Sequence, residues 1–391
     1  VTRLGPDMTP VITRVPNQPS AYNNVSPIYA SDDQIIFTTD CPRNGERHLY
    51  PQLDEYEEAP TVSGLWKLNP ATGETTLLDH APSGVFNPSI DSFGRVIFSR
   101  WDHLQRDQQA DGDSESAGGG VYGTFNFTDE SEEAGRLYGG RDEVFPEPRG
   151  SRSDLLSGTN LSGHNFNFFF PWMVNQDGTE LETLNHIGRH ELHDYFAAVF
   201  TDDERLTEFF MTPETRESKN HILNMFQIRE DPLRPGVFFG VDAPEFQTHA
   251  AGMIFTLDGA PETNVEQMRV TYITAPESRN VAGANAAGHP GFFRNPLPTI
   301  GGTLLAVHTS ESRADDNEGT RALPQSRYEF RIKTLQASGE HWVEGEPLTN
   351  GIVESLSWFD PDVRVTYEGP MWELSPVELR PRMRPEAKAG E

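Results

Sequence analysis

Short apolar and β-branched runs separated by turn-forming clusters recur along most of this chain, and the runs keep the same spacing from one copy to the next. Ser26-Pro27 is followed by Asp32-Asp33 and then Gln34-Ile35-Ile36-Phe37-Thr38. At the same offsets Asn87-Pro88 leads to Phe93-Gly94 and Arg95-Val96-Ile97-Phe98-Ser99, and Asn295-Pro296 leads to Gly301-Gly302 and Thr303-Leu304-Leu305-Ala306-Val307. Each copy predicts a strand, a tight turn and a second strand. A degenerate fourth copy has Pro235-Gly236 as its turn and Val237-Phe238-Phe239 as its strand, without the leading Ser/Asn-Pro pair.

A further strand and turn follow each copy. Leu65-Trp66-Lys67-Leu68-Asn69-Pro70 precedes Gly73, and Pro171-Trp172-Met173-Val174-Asn175 precedes Asp177-Gly178. Met253 to Gly259 and Tyr328-Glu329-Phe330-Arg331-Ile332 hold the same place in the other two. The predicted unit is therefore an antiparallel sheet of four strands. One such sheet cannot bury both of its faces, so units must stack, and radial stacking gives an all-β propeller of about five to six blades. The expected organisation is one domain over residues 1–391, with blades at 20–80, 84–185, 220–275 and 290–350 and a partial blade at 351–380. Residues 9–15 are a candidate strand for closing the ring.

Two segments break the repeat. Residues 103–163 form a long acidic insertion containing Asp107, Asp111, Asp113, Glu115 and Gly118-Gly119-Gly120. Its plain reading is a solvated loop; the sharper one is a calcium site at Asp107, Asp111 and Asp113, since closely spaced carboxylates suit a hard cation. Residues 186–220 predict a short helical insertion, opened by His186-Ile187-Gly188-Arg189-His190-Glu191-Leu192-His193. On a helix His186, His190 and His193 share a face, which suits a transition metal, whereas Gly188 weakens the helix and capping or packing histidines are the alternative. His221, His249, His289 and His308 are scattered near strand starts and loops of the later blades.

Composition narrows the function. Sixty acidic residues against 31 basic ones give a formal charge of −29, which repels a phosphate backbone and excludes nucleic acid as a partner. Cys41 is the only cysteine, so the chain has no internal disulfide, no Cys-x-x-Cys site and no Cys-x-x-Cys-His haem attachment. No apolar run approaches the roughly 18 residues of a membrane span. Val1 in place of Met implies that a signal peptide or longer N-terminal region has been removed. Gly-x-Ser-x-Gly and His-Glu-x-x-His are missing, and no glycosidase carboxylate pair stands out.

The Ser/Asn-Pro strand pair followed by a Trp-x-Val/Leu-Asn-x-Asp-Gly strand resembles the TolB-like, WD40-like propeller repeat of exported bacterial proteins. Residues Asn87 to Trp101, the run Asn295-Pro296-Leu297-Pro298 and the closing Trp372-Glu373-Leu374-Ser375-Pro376-Val377-Glu378-Leu379 are similar to segments of the middle domain of proteins related to the hydrazine synthase alpha subunit. The resemblance implies a periplasmic or extracellular propeller with a multihaem cytochrome domain or subunit and other protein subunits as partners. No catalytic residue of that family matches a position here, and no covalently bound cofactor is expected. The leading functional reading is an exported binding or scaffold module that is not catalytic alone. The alternatives are a metalloenzyme built on His186, His190 and His193, and a carbohydrate or peptide receptor using Phe166 to Trp172.

Overall fold

A computed structural model describes residues 2–4, 10–41, 63–79, 84–103, 167–186, 222, 224–244, 247–263, 267–284, 286–379 and 384–387. After a short hairpin of β1 (Thr2–Leu4) and β2 (Pro10–Ile12) come four antiparallel sheets of four strands. The first sheet holds β3 (Asn24–Tyr29), β4 (Ile35–Thr39), β5 (Gly64–Leu68) and β6 (Thr75–Asp79). In the second are β7 (Gly84–Ile90), β8 (Val96–His103), β9 (Asn167–Val174) and β10 (Glu182–Thr183). The third comprises β11 (Met225–Asp231), β12 (Arg234–Asp242), β13 (Met253–Asp258) and β14 (Val270–Tyr272). The fourth is β15 (Phe292–Pro298), β16 (Leu304–Thr309), β17 (Arg331–Ser338) and β18 (His341–Pro347). A two-stranded sheet of β19 (Ile352–Asp360) and β20 (Val363–Met371) follows. The protein is thus an all-β chain of propeller type, as the repeat predicts.

The sheets succeed one another like blades because each is apolar on both faces. In β4, Ile36 joins a core cluster shared with Val85, Val96 and Phe98 of the second blade, while its neighbours Ile35 and Phe37 join Trp66, Leu68, Leu77 and Val15 on the opposite side. The first strand of each blade leans on the preceding blade: β7 touches β3, β4 and β5; β11 touches β7, β8 and β9; β15 touches β11, β12 and β13. Polar ties cross the same seams. Buried Arg100 on β8 lies 4.3 Å over the Trp172 ring and 3.7 Å from buried Asp79 at the end of β6. Arg95, also buried, is ion-paired with Asp91 at 2.7 Å within its own blade and donates to the Gly259 carbonyl of the third blade at 3.4 Å.

Every first strand is also bent at one repeated position. Ser26, Asn87, Gln227 and Asn295 have φ of 51°, 52°, 56° and 47°, and the ladder slips at each of them, between Val25 and Ile28, Phe86 and Ser89, Phe226 and Arg229, and Arg294 and Leu297. The Ser/Asn-Pro pair is therefore a β-bulge with its first residue in the left-handed region. The third blade departs from the sequence reading in two ways. Gln227-Ile228 makes the bulge without proline, and the turn is Pro232-Leu233, between the paired residues Asp231 and Arg234, while Pro235 and Gly236 lie inside β12. Geometry persists there because Gln227 Oε1 accepts from the Asn295 amide at 2.6 Å and its Nε2 donates to the Ala250 carbonyl, so the next blade holds the kink.

The C-terminal region also differs from expectation. Residues 352–371 form the separate β19–β20 hairpin, and the features of a first strand reappear after it, at 372–379. Ser375, followed by Pro376, has φ 51°. Three residues beyond the bulge, Glu378 accepts from the Ile300 amide in the β15–β16 turn at 3.2 Å. Glu230, three residues beyond Gln227, accepts in the same way from the Ser92 amide in the β7–β8 turn at 2.6 Å. Two residues before the bulge, the Glu373 amide donates to the Phe330 carbonyl just ahead of β17, as the Phe293 amide does to the Gly252 carbonyl just ahead of β13. Residues 372–379 thus lie on the fourth blade as β15 lies on the third.

A β-branched residue fits the left-handed region poorly, whereas glycine has no such penalty, and a left-handed conformation costs an ordinary residue about 1–2 kcal/mol. Asn87→Val is accordingly expected to destabilise the fold by at least that amount, with Asn87→Gly much closer to wild type, because the Asn87 side chain makes only a long contact of 3.4 Å to Ser26. Denaturant midpoints of the two variants measure the difference; equal midpoints would mean the bulge is not under conformational constraint.

Candidate interaction surface

Trp372, the first residue of the C-terminal segment 372–379, is held by a strained loop. Gln247, His249 and Ala250, between β12 and β13, have φ of 78°, 53° and 56°. Such conformations persist only where surrounding contacts fix them. The Asp315 amide donates to the Gln247 carbonyl at 2.9 Å, and His249 Nε2 lies 2.8 Å from Asp315 Oδ2. The His249 ring meets Trp372 edge-on at 4.9 Å, Phe330 meets it from another side at 5.0 Å, and Trp372 Nε1 donates to the Tyr328 carbonyl.

Glu373 supplies the polar anchor. Its buried carboxylate accepts from the Ile332 amide at 3.0 Å, lies 3.3 Å from Arg331 Nε and takes the Thr349 hydroxyl. Burial by itself raises the carboxyl pKa, but the Thr349 and Ile332 hydrogen bonds and the Arg331 charge outweigh it and hold the group below its ordinary range. Beyond this anchor the chain presents apolar side chains to solvent: Leu374, Val377 and Leu379 are 41%, 61% and 68% exposed. No strand pairs with 372–379 among the described residues. A segment fixed at one end, hydrogen-bonded to the blade beneath it and apolar on its open side is suited to contact another polypeptide.

Asp107, Asp111, Asp113, His190 and His193 lie outside the described residues, as do the rest of the acidic and helical insertions; of His186 only the backbone is described, closing a 3-10 turn over Leu184–His186. Of the later histidines His221 also lies outside the described residues, and the other three do not converge. His289 Nε2 donates to the Asn280 carbonyl, His249 faces Asp315, and His308 is buried against Pro290, Phe293 and Lys333. Among the described residues, no three His, Cys, Asp or Glu side chains are grouped to hold a metal. The sequence signal for the surface was Ser375-Pro376, which repeats Ser26-Pro27.

His308 has a defined protonation state. Nε2 donates to the Pro290 carbonyl at 2.7 Å, so Nδ1 accepts from Lys333 Nζ at 3.1 Å and the ring is neutral. Burial and the Lys333 charge push its pKa down to about 3, against the opposing effect of the Pro290 bond. Burial likewise lowers the pKa of Lys333.

A histidine whose pKa is lower folded than unfolded contributes stability that is complete above the ordinary value near 6.5 and is lost as pH falls toward about 3. Between pH 7 and 5 the wild-type melting temperature should fall more steeply than that of His308→Gln, which keeps a neutral donor and acceptor. Parallel slopes would show that His308 does not take up a proton on unfolding. The Glu373 carboxylate titrates lower: its contribution is present above the ordinary carboxylate range and is lost as pH drops through its depressed folded value, so Glu373→Gln should remove most of the acid sensitivity of Trp372 fluorescence below about pH 4.

No family model matches the chain, and no curated protein matches it. Among solved structures, the chain is similar to hydrazine synthase of Kuenenia stuttgartiensis at 12% identity and a TM-score of 0.39. The likeness covers 87% of this chain and 30% of that one, so the chain spans less than a third of that protein's length.

Proposed function

We propose that this chain is an exported propeller module that binds and positions other protein components, with a c-type cytochrome domain or subunit as its principal partner, and that it is not a self-sufficient catalyst. The observation that carries the binding role is the C-terminal segment 372–379, anchored through Trp372 and Glu373 while Leu374, Val377 and Leu379 face solvent. Supporting the choice of partner is the sequence resemblance of Asn87 to Trp101 and Trp372 to Leu379 to a propeller domain of haem-protein assemblies. With Cys41 as the only cysteine, a c-type haem would have to be borne by another domain or subunit. Among the described residues no helix is long and apolar enough to cross a membrane.

Exchange of the exposed apolar side chains tests this reading. Leu374→Glu combined with Val377→Glu should leave the melting temperature nearly unchanged, because both side chains are already in water, and should lower recovery of the haem protein at least tenfold when the tagged chain is isolated from its native source. Soret absorption of the recovered complex is the measurement. A wild-type complex without haem, or recovery unaffected by the double substitution, would overturn the proposal.

A further inference from the structure

The β19–β20 hairpin offers a second surface, separate from the segment at 372–379. Its two strands pair from Ile352 with Met371 to Asp360 with Val363, and Pro361-Asp362 makes the turn. The two outer edges are not equivalent. On the β20 side the Thr366 amide donates to the Ala322 carbonyl at 2.9 Å, so this edge is held to the body of the protein, while Arg321 holds the turn end of the hairpin through Asp362 at 3.0 Å and the Asp360 carbonyl. Val365, on the same strand, is buried. On the β19 side all nine residues are exposed.

The Thr366 contact also fixes which backbone groups of β19 are open. Because its N–H points away from β19, Thr366 and Ser357 form a non-hydrogen-bonded pair. Alternation then makes Val353, Ser355, Ser357 and Phe359 the residues whose N–H and C=O groups face the free edge. Pro370, which has no N–H, falls opposite Val353, where the ladder requires none from it. Among the described residues nothing bonds to these outward groups.

A two-stranded hairpin is marginally stable alone, and a long free edge flanked by apolar side chains is a template for a further strand. Val353 and Phe359 are 72% and 71% exposed, and Ile352, Leu356 and Trp358 also reach solvent. The usual edge defences are weak here: β19 carries neither lysine nor proline, and no slip interrupts its register. Charge selects the occupant. Glu354, Asp360, Asp362 and Glu368 outnumber Arg364 on the hairpin, and the whole chain carries −29. A second copy docked edge to edge would bring two acidic surfaces together, whereas a basic segment is attracted.

We propose that β19 is a docking edge that takes an extended, net-basic, apolar segment of another protein as a third strand. Backbone bonds to Val353, Ser355, Ser357 and Phe359 supply the pairing, and the hairpin's carboxylates select positive charge. The inference does not rest on the cytochrome reading or on residues 372–379.

A blocked peptide of alternating valine and lysine, the length of β19, is the probe, with a valine–glutamate peptide as its counterpart, and fluorescence anisotropy measures binding to the full chain. The lysine peptide should bind and the glutamate peptide should not. Ser355→Pro with Ser357→Pro removes two outward N–H groups without changing any charge, and should weaken binding about tenfold or more, as expected for two hydrogen bonds; Ser355→Thr with Ser357→Thr should bind like wild type. Val353→Lys with Phe359→Lys, at positions already in solvent, should weaken binding to a similar extent by repulsion and serves if the proline variant fails to fold. Leu374→Glu with Val377→Glu should bind the peptide normally, which separates this result from the test of the cytochrome reading. The proposal fails if the lysine peptide does not bind, if the glutamate peptide binds as well, if a folded proline variant or the lysine variant binds undiminished, or if sedimentation shows a dimer of the chain that these substitutions dissociate.

Discussion

An antiparallel sheet that is apolar on both faces has no stable existence by itself in water, and this constraint governs the protein. Adjacent residues of β4 belong to different cores: Ile36 faces the second blade, while Ile35 and Phe37 face the other way. In β13, Ile254 packs toward Phe293 of the fourth blade, and its neighbour Phe255 toward the core shared with the first two. Each sheet therefore needs a sheet on either side, and the chain meets the need by setting down one blade after another, each first strand against the blade before.

The repeated bulge makes that series regular. A left-handed residue in every first strand bends it at the same depth and redirects the backbone groups that the ladder leaves unpaired. Those groups and the side chains beside them tie neighbouring blades together. Ser89 Oγ donates to the Ile228 carbonyl at 3.0 Å, and the Asn295 amide donates to Gln227. A bulge retained at Gln227-Ile228 without proline shows that the bend belongs to the assembly and not to proline's fixed φ alone. The same device at Ser375, with Glu378 reaching back to the fourth blade, carries the series one strand beyond the fourth sheet.

The two surfaces open to partners follow from where this series is left unpaired. Residues 372–379 have a blade beneath them and no described strand beside them, so Leu374, Val377 and Leu379 stay in water. The β19–β20 hairpin is held along β20 and at its turn end, and among the described residues nothing bonds the outward backbone groups of Val353, Ser355, Ser357 and Phe359. Several buried polar side chains are instead committed within the protein: His308 is buried as a neutral ring between Pro290 and Lys333, and Arg95 and Arg100 are paired with carboxylates of their own or the preceding blade.

The sequence by itself determined the strands, their grouping in fours and the propeller class, because alternation, turn residues and repeat offsets are local signals that survive without coordinates. It also carried Ser375-Pro376, the local mark of another first strand. What it left undecided depended on contacts between residues distant in the chain. The bulge at Gln227-Ile228 has no proline to announce it and is held by Asn295 and Ala250; the scattered histidines were equivalent in sequence, and only their neighbours separated exposed His249 from buried His308. The partial blade expected over 351–380 did not disclose the isolation of residues 352–371 as a hairpin, since the open edge of β19 is defined by the Ala322 carbonyl that occupies the opposite one. Period and turn chemistry are written residue by residue, whereas which face is covered, and by what, is a property of the assembled blades.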